Sequence, residues 1–318
     1  MHLSVVIGTF NRALLLEGTL RALAEQRVPE SLKWEIVVVD NNSRDETARV
    51  VAAFVEMAAV PTRRFFEPQQ GLSHARNRGL REARGSLIAF IDDDVLPAPD
   101  WVAQIAAAID RWDALGVGGR ILPRWESAPP RWLAENPRLL DRLAVMDFEE
   151  GRLLALPLDP QPQVWGANMA FRRELFERVG GFDPRRGVVG ARLFRGEESA
   201  LIDRALELGL KIAYDPAPTV FHRIGPERMR KAYFRRVIFD EAQGRARATS
   251  PSGEWSLFGA PIFLYRAPFT TFARWAGSAL LRSPSAFDRQ LRIFGALGRL
   301  TGHWKAGMDR RVGEGLPS

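Results

Sequence analysis

Three consecutive aspartates, Asp92, Asp93 and Asp94, are the residues of this sequence with the clearest capacity for chemistry. They follow the apolar run 86–91, which has the composition of a buried strand. Adjacent carboxylates repel one another, so placing three at a strand end is costly without a cation. An Asp-x-Asp arrangement supplies the hard oxygen ligands that Mg²⁺ prefers, usually together with phosphate oxygens. The triplet therefore predicts a divalent cation beside a departing diphosphate, whereas the alternative is a solvated loop that caps the next helix.

The elements that position this triplet alternate between strand and helix patterns over the first 120 residues. Strands are predicted at 3–9, 34–39, 63–67 and 86–91. Helices are predicted at about 45–57, 71–84 and 97–110, and an earlier one where Leu15, Leu16, Leu20 and Leu23 recur at helical spacing. This alternation predicts a parallel sheet with helices on both faces. Ligands of such sheets bind beyond the carboxyl ends of the strands. The polar clusters at 9–12, 40–42 and 92–94 all fall there, so together they outline one site.

Beyond residue 120 the pattern is less regular. Residues 123–163 contain seven prolines, which indicate a long ordered excursion with one or two short helices. A strand is predicted at 164–171, a mobile glycine- and arginine-rich loop at 185–196 and a helix at 197–208. Two short strands are then predicted at 211–214 and 219–221.

Composition and charge divide the chain and exclude several classes of protein. The 318 residues contain no cysteine, which excludes disulfides, thiol catalysis and cysteine-ligated metals. Residues 1–222 carry 28 basic and 31 acidic side chains, whereas residues 223–318 carry 17 and 7. The basic excess therefore lies in the last third and favours an anionic partner. Because no targeting or membrane-spanning pattern is visible, we expect a cytoplasmic location.

Seven short segments occur in the order and spacing of one enzyme family. They are 4–12 (SVVIGTFNR), 37–43 (VVVDNNS), 71–79 (GLSHARNRG), 91–94 (IDDD), 166–171 (GANMAF), 180–183 (GGFD) and 196–198 (GEE). Over residues 3–223 the sequence resembles the family 2 glycosyltransferases, which transfer a sugar from a nucleoside diphosphate with inversion. The resemblance implies an α/β fold of the GT-A type, with a Rossmann-like, mostly parallel sheet and flanking helices. It implies a catalytic domain at 1–225 and a C-terminal helical extension at 226–318, which is basic and rich in aromatic residues.

The resemblance also implies roles for individual residues in donor and metal binding. The residues implied to bind the nucleotide sugar are Thr9, Asn11, Arg12, Asp40, Asn42, Arg76, Asn77, Asp92, Asp93 and Asn168. Asp40 would hydrogen-bond the base or ribose, and its alternative role is to cap the following helix. Asp94, Asp92 and His222 would hold the metal, Mn²⁺ or Mg²⁺.

The catalytic base is expected at the start of the helix predicted at 197–208. Inversion requires a carboxylate to remove the proton from the acceptor hydroxyl. The family has a Glu-Asp pair at this point, and this sequence has Glu197 and Glu198. Glu198 is therefore the expected base and Glu197 the second candidate. The remaining alternative is a plain helix N-terminus enriched in acids.

The expected partners are a nucleotide diphosphate sugar and the hydroxyl of a glycan or lipid-linked acceptor, in polysaccharide or cell-surface glycan biosynthesis. UDP is preferred because it is common in the family. The tail has two interpretations: docking on an anionic membrane, at its inner face, or packing on the catalytic domain. A nucleotidyltransferase is an alternative, but residues 8–11 make a poor phosphate loop. A non-catalytic membrane- or nucleic-acid-binding protein would leave the acidic triplet unexplained, so nucleic acid is not an expected partner.

Overall fold

The computed structural model describes residues 2–156, 163–184, 197–248, 256–257, 260–281 and 285–314. These residues form two compact units, the first ending at Pro226 and the second beginning at Glu227. The strands of the first unit are β1 (His2–Thr9), β2 (Lys33–Asp40), β3 (Thr62–Phe66), β4 (Leu87–Ile91), β5 (Val95–Pro97), β6 (Gly116–Trp125), β7 (Arg152–Leu153), β8 (Asn168–Arg172) and β9 (Ile212–Ile224). Its helices are α1 (Ala13–Ala24), α2 (Thr47–Met57), α3 (Leu72–Glu82), α4 (Trp101–Arg111), α5 (Arg131–Ala134), a 3₁₀ helix (Pro137–Leu143), α6 (Arg173–Val179) and α7 (Glu197–Glu207).

The strands of the first unit form one sheet in the order β3-β2-β1-β4-β8-β6-β9-β5, and β7 pairs with β9. Strands β1 to β4 are parallel, as the alternating pattern predicted. Their valine- and isoleucine-rich runs are buried, as is usual for parallel strands covered on both faces. The carboxyl ends of β1, β2 and β4 therefore lie at one edge of the sheet.

The second half of the sheet contains the antiparallel pairings of this mostly parallel arrangement. Strand β8 runs antiparallel to both of its neighbours, β4 and β6. The chain leaves β6 at the carboxyl end of the sheet and enters β8 at the same end, which reverses its direction. The proline-rich excursion between them, which contains α5 and the 3₁₀ helix as predicted, therefore begins and ends on the edge that carries the acidic triplet.

Strand β9 replaces the two short strands predicted at 211–214 and 219–221. It pairs in parallel with β6 along most of its length, and the register shifts between Gly119 and Arg120 of β6. The shift lies opposite Pro216 and Pro218, which have no N–H to donate to the ladder. The sequence thus indicated the irregularity at the prolines but not that one strand continues across it. The loop predicted at 185–196 lies outside the described residues.

The described residues of the second unit lie mainly in three helices. They are α8 (Lys231–Ala248), α9 (Arg266–Leu280) and α10 (Ala286–Glu314), with a two-stranded sheet formed by β10 (Ser256–Leu257) and β11 (Ala260–Pro261) and a 3₁₀ helix (Ile262–Tyr265) before α9. A small core contains Ala260, Leu264 and Leu300, beside which Trp304 donates a hydrogen bond to the Tyr265 hydroxyl. Along the described residues, none of the helices combines the length and apolar character needed to cross a bilayer.

Helices α8 and α10 approach closely because α10 presents glycines to its neighbour. A Cβ atom at Gly302 would lie 2.4 Å from the Gln243 carbonyl oxygen and 2.7 Å from the Ala246 Cβ. Gly298 is equally restricted, because its Cβ would lie 2.4 Å from the Phe239 carbonyl oxygen. The backbones of the two helices can keep this separation only if both positions lack a side chain.

We predict that Gly302→Ala lowers the free energy of unfolding by about 1–3 kcal/mol, because the new methyl group must push the two backbones apart. Gly277→Ala is the matched control, since Gly277 lies in α9 with open space where its Cβ would be. That change should stabilise the protein by roughly 0.5–1 kcal/mol through the higher helix propensity of alanine. Chemical denaturation of both variants measures the difference. Equal stabilisation by the two changes would contradict the close packing of α8 and α10.

Candidate active site

The acidic triplet lies where three parallel strands end. Thr9 at the end of β1 is in register with Asp40 at the end of β2, and Asp92 directly follows β4. The Thr9 hydroxyl donates a 2.8 Å hydrogen bond to Asp93, so the end of β1 and the triplet are joined directly. The three clusters that the sequence placed at strand ends therefore do form one region.

Arg12 and Thr9 hold the central aspartate. Arg12 Nη1 lies 3.0 Å from an Asp93 oxygen and 3.1 Å from Asp94 Oδ2. Burial raises the pKa of Asp93 to about 7, while Arg12 opposes that rise and Asp94 adds to it. Thr19 of α1 donates its hydroxyl proton towards the backbone carbonyls of Asp93 and Val95, 3.0 and 2.8 Å away. The side chains of Thr9 and Asp93 are thus used within the protein, whereas Arg12 is half exposed at the site.

The guanidinium of Arg76, on α3, is buried between acidic groups from distant parts of the chain. Its nitrogens lie 2.8 Å from Glu197, 3.3 Å from Asp92 and 3.9 Å from Glu198. Burial disfavours its charge, but Glu197, Asp92 and Glu198 together raise its pKa. Gly166 lies against the same group, and a Cβ there would be 1.9 Å from a guanidinium nitrogen. Arg76 therefore joins the triplet to the first turn of α7.

Glu197 and Glu198 occupy that first turn in different ways. Glu197 is buried, and one of its oxygens accepts a hydrogen bond from Arg76. Burial and the neighbouring Glu198 raise the pKa of Glu197 to about 7, although Arg76 opposes the rise. Oε2 of each glutamate is buried and has no hydrogen-bond partner within the described residues. Glu198 lies farther from Arg76 and is the less constrained of the two.

Asp94 is paired with His222 of β9, which lies beside β5 in the sheet. His222 Nδ1 lies 2.7 Å from the Leu143 carbonyl oxygen, and His222 Nε2 lies 3.5 Å from Asp94 Oδ1. A carbonyl can only accept, so Nδ1 carries the proton and a neutral ring would turn the Nε2 lone pair towards Asp94. A lone pair facing a carboxylate is unfavourable unless a proton or a metal ion lies between them.

Of the three residues implied to hold the metal, Asp94 and His222 lie close together, whereas Asp92 contacts Arg76. Throughout the part of the chain that the structure describes, no three carboxylate or imidazole groups form a cation site. The donor set of the Asp94–His222 pair, one carboxylate oxygen and one imidazole nitrogen, fits Mn²⁺ better than Mg²⁺, which prefers oxygen ligands, and phosphate oxygens would complete either set.

The polar residues at the end of β2 form hydrogen bonds within the loop that leads to α2. Asp40 accepts a 2.9 Å hydrogen bond from the Ser43 backbone N–H, and Arg64 lies 3.9 Å from its other oxygen. Asp40 does not cap α2, because α2 begins only at Thr47. It is Asp45 that accepts hydrogen bonds from the Thr47 backbone N–H and hydroxyl. Asn11 and Asn42 both have positive φ angles, 51° and 67°, and form the turns that follow β1 and β2.

Two residues implied to bind the nucleotide have other partners in this structure. Asn168 is fully buried, donates to the carbonyls of Arg120 and Pro218, and accepts from the Trp101 indole. Asn77 exchanges two hydrogen bonds with the backbone of Phe182. These amides join strands and loops of the protein, and their contact with a nucleotide sugar stays a prediction. Asn77 and Asn168 therefore connect the segments that carry the other site residues.

Several contributors to the site were not identified from the sequence. Asn41, named there only as part of a polar cluster, binds the carbonyls of Glu67 and Gln69 and accepts from the Gly71 N–H at the entrance to α3. The Leu143 carbonyl, which sets the tautomer of His222, had no sequence signal, since any residue could supply it. The signal for Asn41 was its place between Asp40 and Asn42.

Comparison with known proteins gives the same site an evolutionary context. The family model described as glycosyl transferase family 2 matches residues 4–180. The glucosyl-dolichyl phosphate glucuronosyltransferase of Haloferax volcanii is 27% identical over 229 residues, which cover 70% of this chain and 70% of that protein. Validoxylamine A glucosyltransferase of Streptomyces hygroscopicus is 31% identical over 204 residues, covering 57% of this chain and 47% of that protein.

Solved structures share the fold. The mannosyltransferase PcManGT of Pyrobaculum calidifontis, in complex with GDP-Man and Mn²⁺, aligns with a TM-score of 0.60 at 23% identity, covering 99% of this chain and 88% of that one. TarS 1-349 of S. aureus, in complex with UDP, aligns with a TM-score of 0.52 at 18% identity, covering 98% and 92%. These similarities confirm the predicted GT-A architecture. Because the family match spans more than half of the sequence, the chain belongs to glycosyltransferase family 2 and is a glycosyltransferase.

Proposed function

We propose that the protein moves a sugar from a nucleoside diphosphate sugar, with inversion, to a hydroxyl of a glycan or lipid-linked acceptor. The observation that carries this proposal is Arg76, which joins the acidic triplet to the Glu197–Glu198 pair. A diphosphate leaving group needs positive charge on one side of the anomeric carbon, and the attacking hydroxyl needs a carboxylate on the other. Arg76 lies between the acidic triplet, where a bound metal would supply that positive charge, and the two glutamates, one of which would be that carboxylate.

The relatives support this donor class. Two structural neighbours are complexes with GDP-Man and with UDP, and a curated relative is named as a glucuronosyltransferase of a glucosyl-dolichyl phosphate. We take UDP as the first donor nucleotide to test, and polysaccharide or cell-surface glycan synthesis as the setting. Arg12, Asn11, Asp40 and Asn42 would border the nucleotide, because they lie at the ends of β1 and β2.

Asp94 and His222 are the residues that would hold the divalent metal. When bound, Mn²⁺ or Mg²⁺ supplies Lewis-acid stabilisation of the charge that develops on the diphosphate. The chain prepares this role in two ways: the Leu143 carbonyl fixes the protonated nitrogen of His222, and the Arg223 backbone N–H donates to the Asp94 carbonyl. The first contact orients the imidazole before a ligand arrives, and the second fixes the Asp94 backbone from which the carboxylate extends.

Glu198 is the proposed base. Glu197 already accepts a hydrogen bond from Arg76, which keeps that carboxylate in place and opposes the rise in its pKa that burial causes. Oε2 of each glutamate has no hydrogen-bond partner among the described residues, but Glu198 lies farther from the guanidinium and its side chain is the more exposed of the two. Arg76 would therefore orient the turn through Glu197 and leave Glu198 to receive the acceptor proton.

The reaction class is tested by incubating the protein with UDP, GDP and dTDP sugars in the presence and absence of Mn²⁺. We expect one donor to raise the melting temperature with the metal and to release a nucleoside diphosphate. Release of pyrophosphate would instead identify a nucleotidyltransferase and would overturn the proposal. Absence of both stabilisation and release across the three nucleotide families would contradict it as well.

For the metal site, Asp94→Asn should abolish the part of UDP binding that Mn²⁺ stimulates, because the metal loses its carboxylate ligand. Calorimetric titration with UDP, with the metal or with a chelator, measures this difference. Asp113→Asn is the control, since Asp113 is an exposed aspartate whose contact is with Lys211. If UDP affinity in Asp94→Asn equals that of the unchanged protein under both conditions, Asp94 is not a metal ligand.

For the base, Glu198→Gln should lower turnover by roughly 10²–10⁴-fold with donor affinity nearly intact, because the amide cannot accept the proton. Glu207→Gln, at the exposed end of the same helix, should leave turnover unchanged. Steady-state kinetics that separate kcat from KM for the donor give the result. A larger loss of kcat in Glu197→Gln than in Glu198→Gln would move the base to Glu197.

A further inference from the structure

The second unit has an exposed apolar face on α9. Phe269, Phe272 and Leu280 are 78%, 53% and 85% exposed, and their spacing along the helix places them on one side of it. Ile262 and Phe263, in the 3₁₀ turn that precedes α9, are 51% and 60% exposed. Monomeric soluble proteins rarely expose so many large apolar groups in one contiguous stretch of chain.

In contrast to this face, the apolar side of α8 is packed inside the unit. On α8, Phe234 and Val237 are fully buried, and Phe234 contacts Phe287 of α10. Basic groups of α8 are also engaged, since Lys231 lies over the Phe287 ring and Arg235 over the Phe294 ring. The basic amphipathic start that the sequence suggested for membrane contact therefore turns its apolar side into the unit. The aromatic residues of α9 remain on the surface.

The charges around the face have one sign. Arg266 and Arg274 are exposed on α9, and the segment 260–281 contains no acidic residue. From Glu227 to the end, the chain carries 16 basic and 7 acidic side chains. A partner that covers this face must accept aromatic side chains and present negative charge. An anionic lipid surface has both properties, with acyl chains below a layer of phosphates.

We propose that α9 lies in the plane of an anionic lipid surface, with Phe269, Phe272 and Leu280 directed into the acyl boundary. Arg266 and Arg274 would contact lipid phosphates. At about 1.5 Å per residue, a helix of this length is shorter than the roughly 30 Å needed to span the apolar core. The binding requires neither nucleotide nor metal, so it goes beyond the glycosyl transfer proposed above. It brings the enzyme to the surface on which a lipid-linked acceptor would reside.

The experiment is co-sedimentation of the 318-residue chain with vesicles of phosphatidylcholine alone or with an equal part of phosphatidylglycerol. We expect binding to the anionic vesicles that weakens in high salt. The double variant Phe269→Ser with Phe272→Ser should lower the partition coefficient at least about tenfold, because two aromatic groups no longer insert. Arg266→Gln with Arg274→Gln should lower it roughly fivefold per arginine on anionic vesicles only.

The matched control is Val55→Ser with Met57→Ser, which removes two exposed apolar side chains from α2 of the first unit. This control should bind vesicles like the unchanged protein, and UDP affinity and thermal melting should be alike in all variants. Equal binding by the phenylalanine variant, or equal binding to both vesicle types, overturns the proposal. Failure to sediment, with a dimer in analytical ultracentrifugation that the phenylalanine variant abolishes, would assign the face to a second copy of the chain.

Discussion

Burial of one positive charge, that of Arg76, constrains the arrangement of the whole candidate site. Its guanidinium contacts Asp92 after β4 and Glu197 at the start of α7, two segments that are distant in the sequence. Removing one member of a buried ion pair leaves an uncompensated charge, which is far more costly than losing a surface pair. Helix α3, the strand-end triplet and the first turn of α7 must therefore keep their positions together. Gly166 belongs to the same constraint, since no side chain fits between residue 166 and the guanidinium.

The three adjacent aspartates have different partners as a result. Asp92 faces Arg76, Asp93 faces Thr9 and Arg12, and Asp94 faces both Arg12 and His222. Repulsion among the three is thus reduced by two arginines before any ligand binds: Arg12, which directly precedes α1, and Arg76 of α3. The member paired with an imidazole is left as the best-placed group for a cation. Three identical side chains acquire different chemistry because their neighbours differ.

The sequence predicted the parallel half of the sheet, because hydrophobic runs followed by polar clusters define both the strands and the edge at which they end. It could not predict the direction of β8, which depends on where the chain re-enters the sheet after the excursion. It could not predict the hydrogen-bond partners of Asn77 and Asn168, because a motif records residue type and position, whereas the orientation of an amide depends on backbone groups from other parts of the chain. The Arg76 contacts were equally hidden, since Glu197 lies more than a hundred residues away. For the tail, aromatic content was visible, but only packing shows that α8 buries its apolar side and α9 does not.

The contact between His222 and the Leu143 carbonyl has a consequence for how this enzyme can be rebuilt. Leu143 belongs to the proline-rich excursion, which would otherwise look like a module that could be exchanged for that of another enzyme. A chimera that replaced this segment without restoring a carbonyl at the same point would free the imidazole to rotate about its bond. The ring could then turn its protonated nitrogen towards Asp94. Replacing this loop would thus change which imidazole nitrogen faces Asp94 even if every site residue were retained.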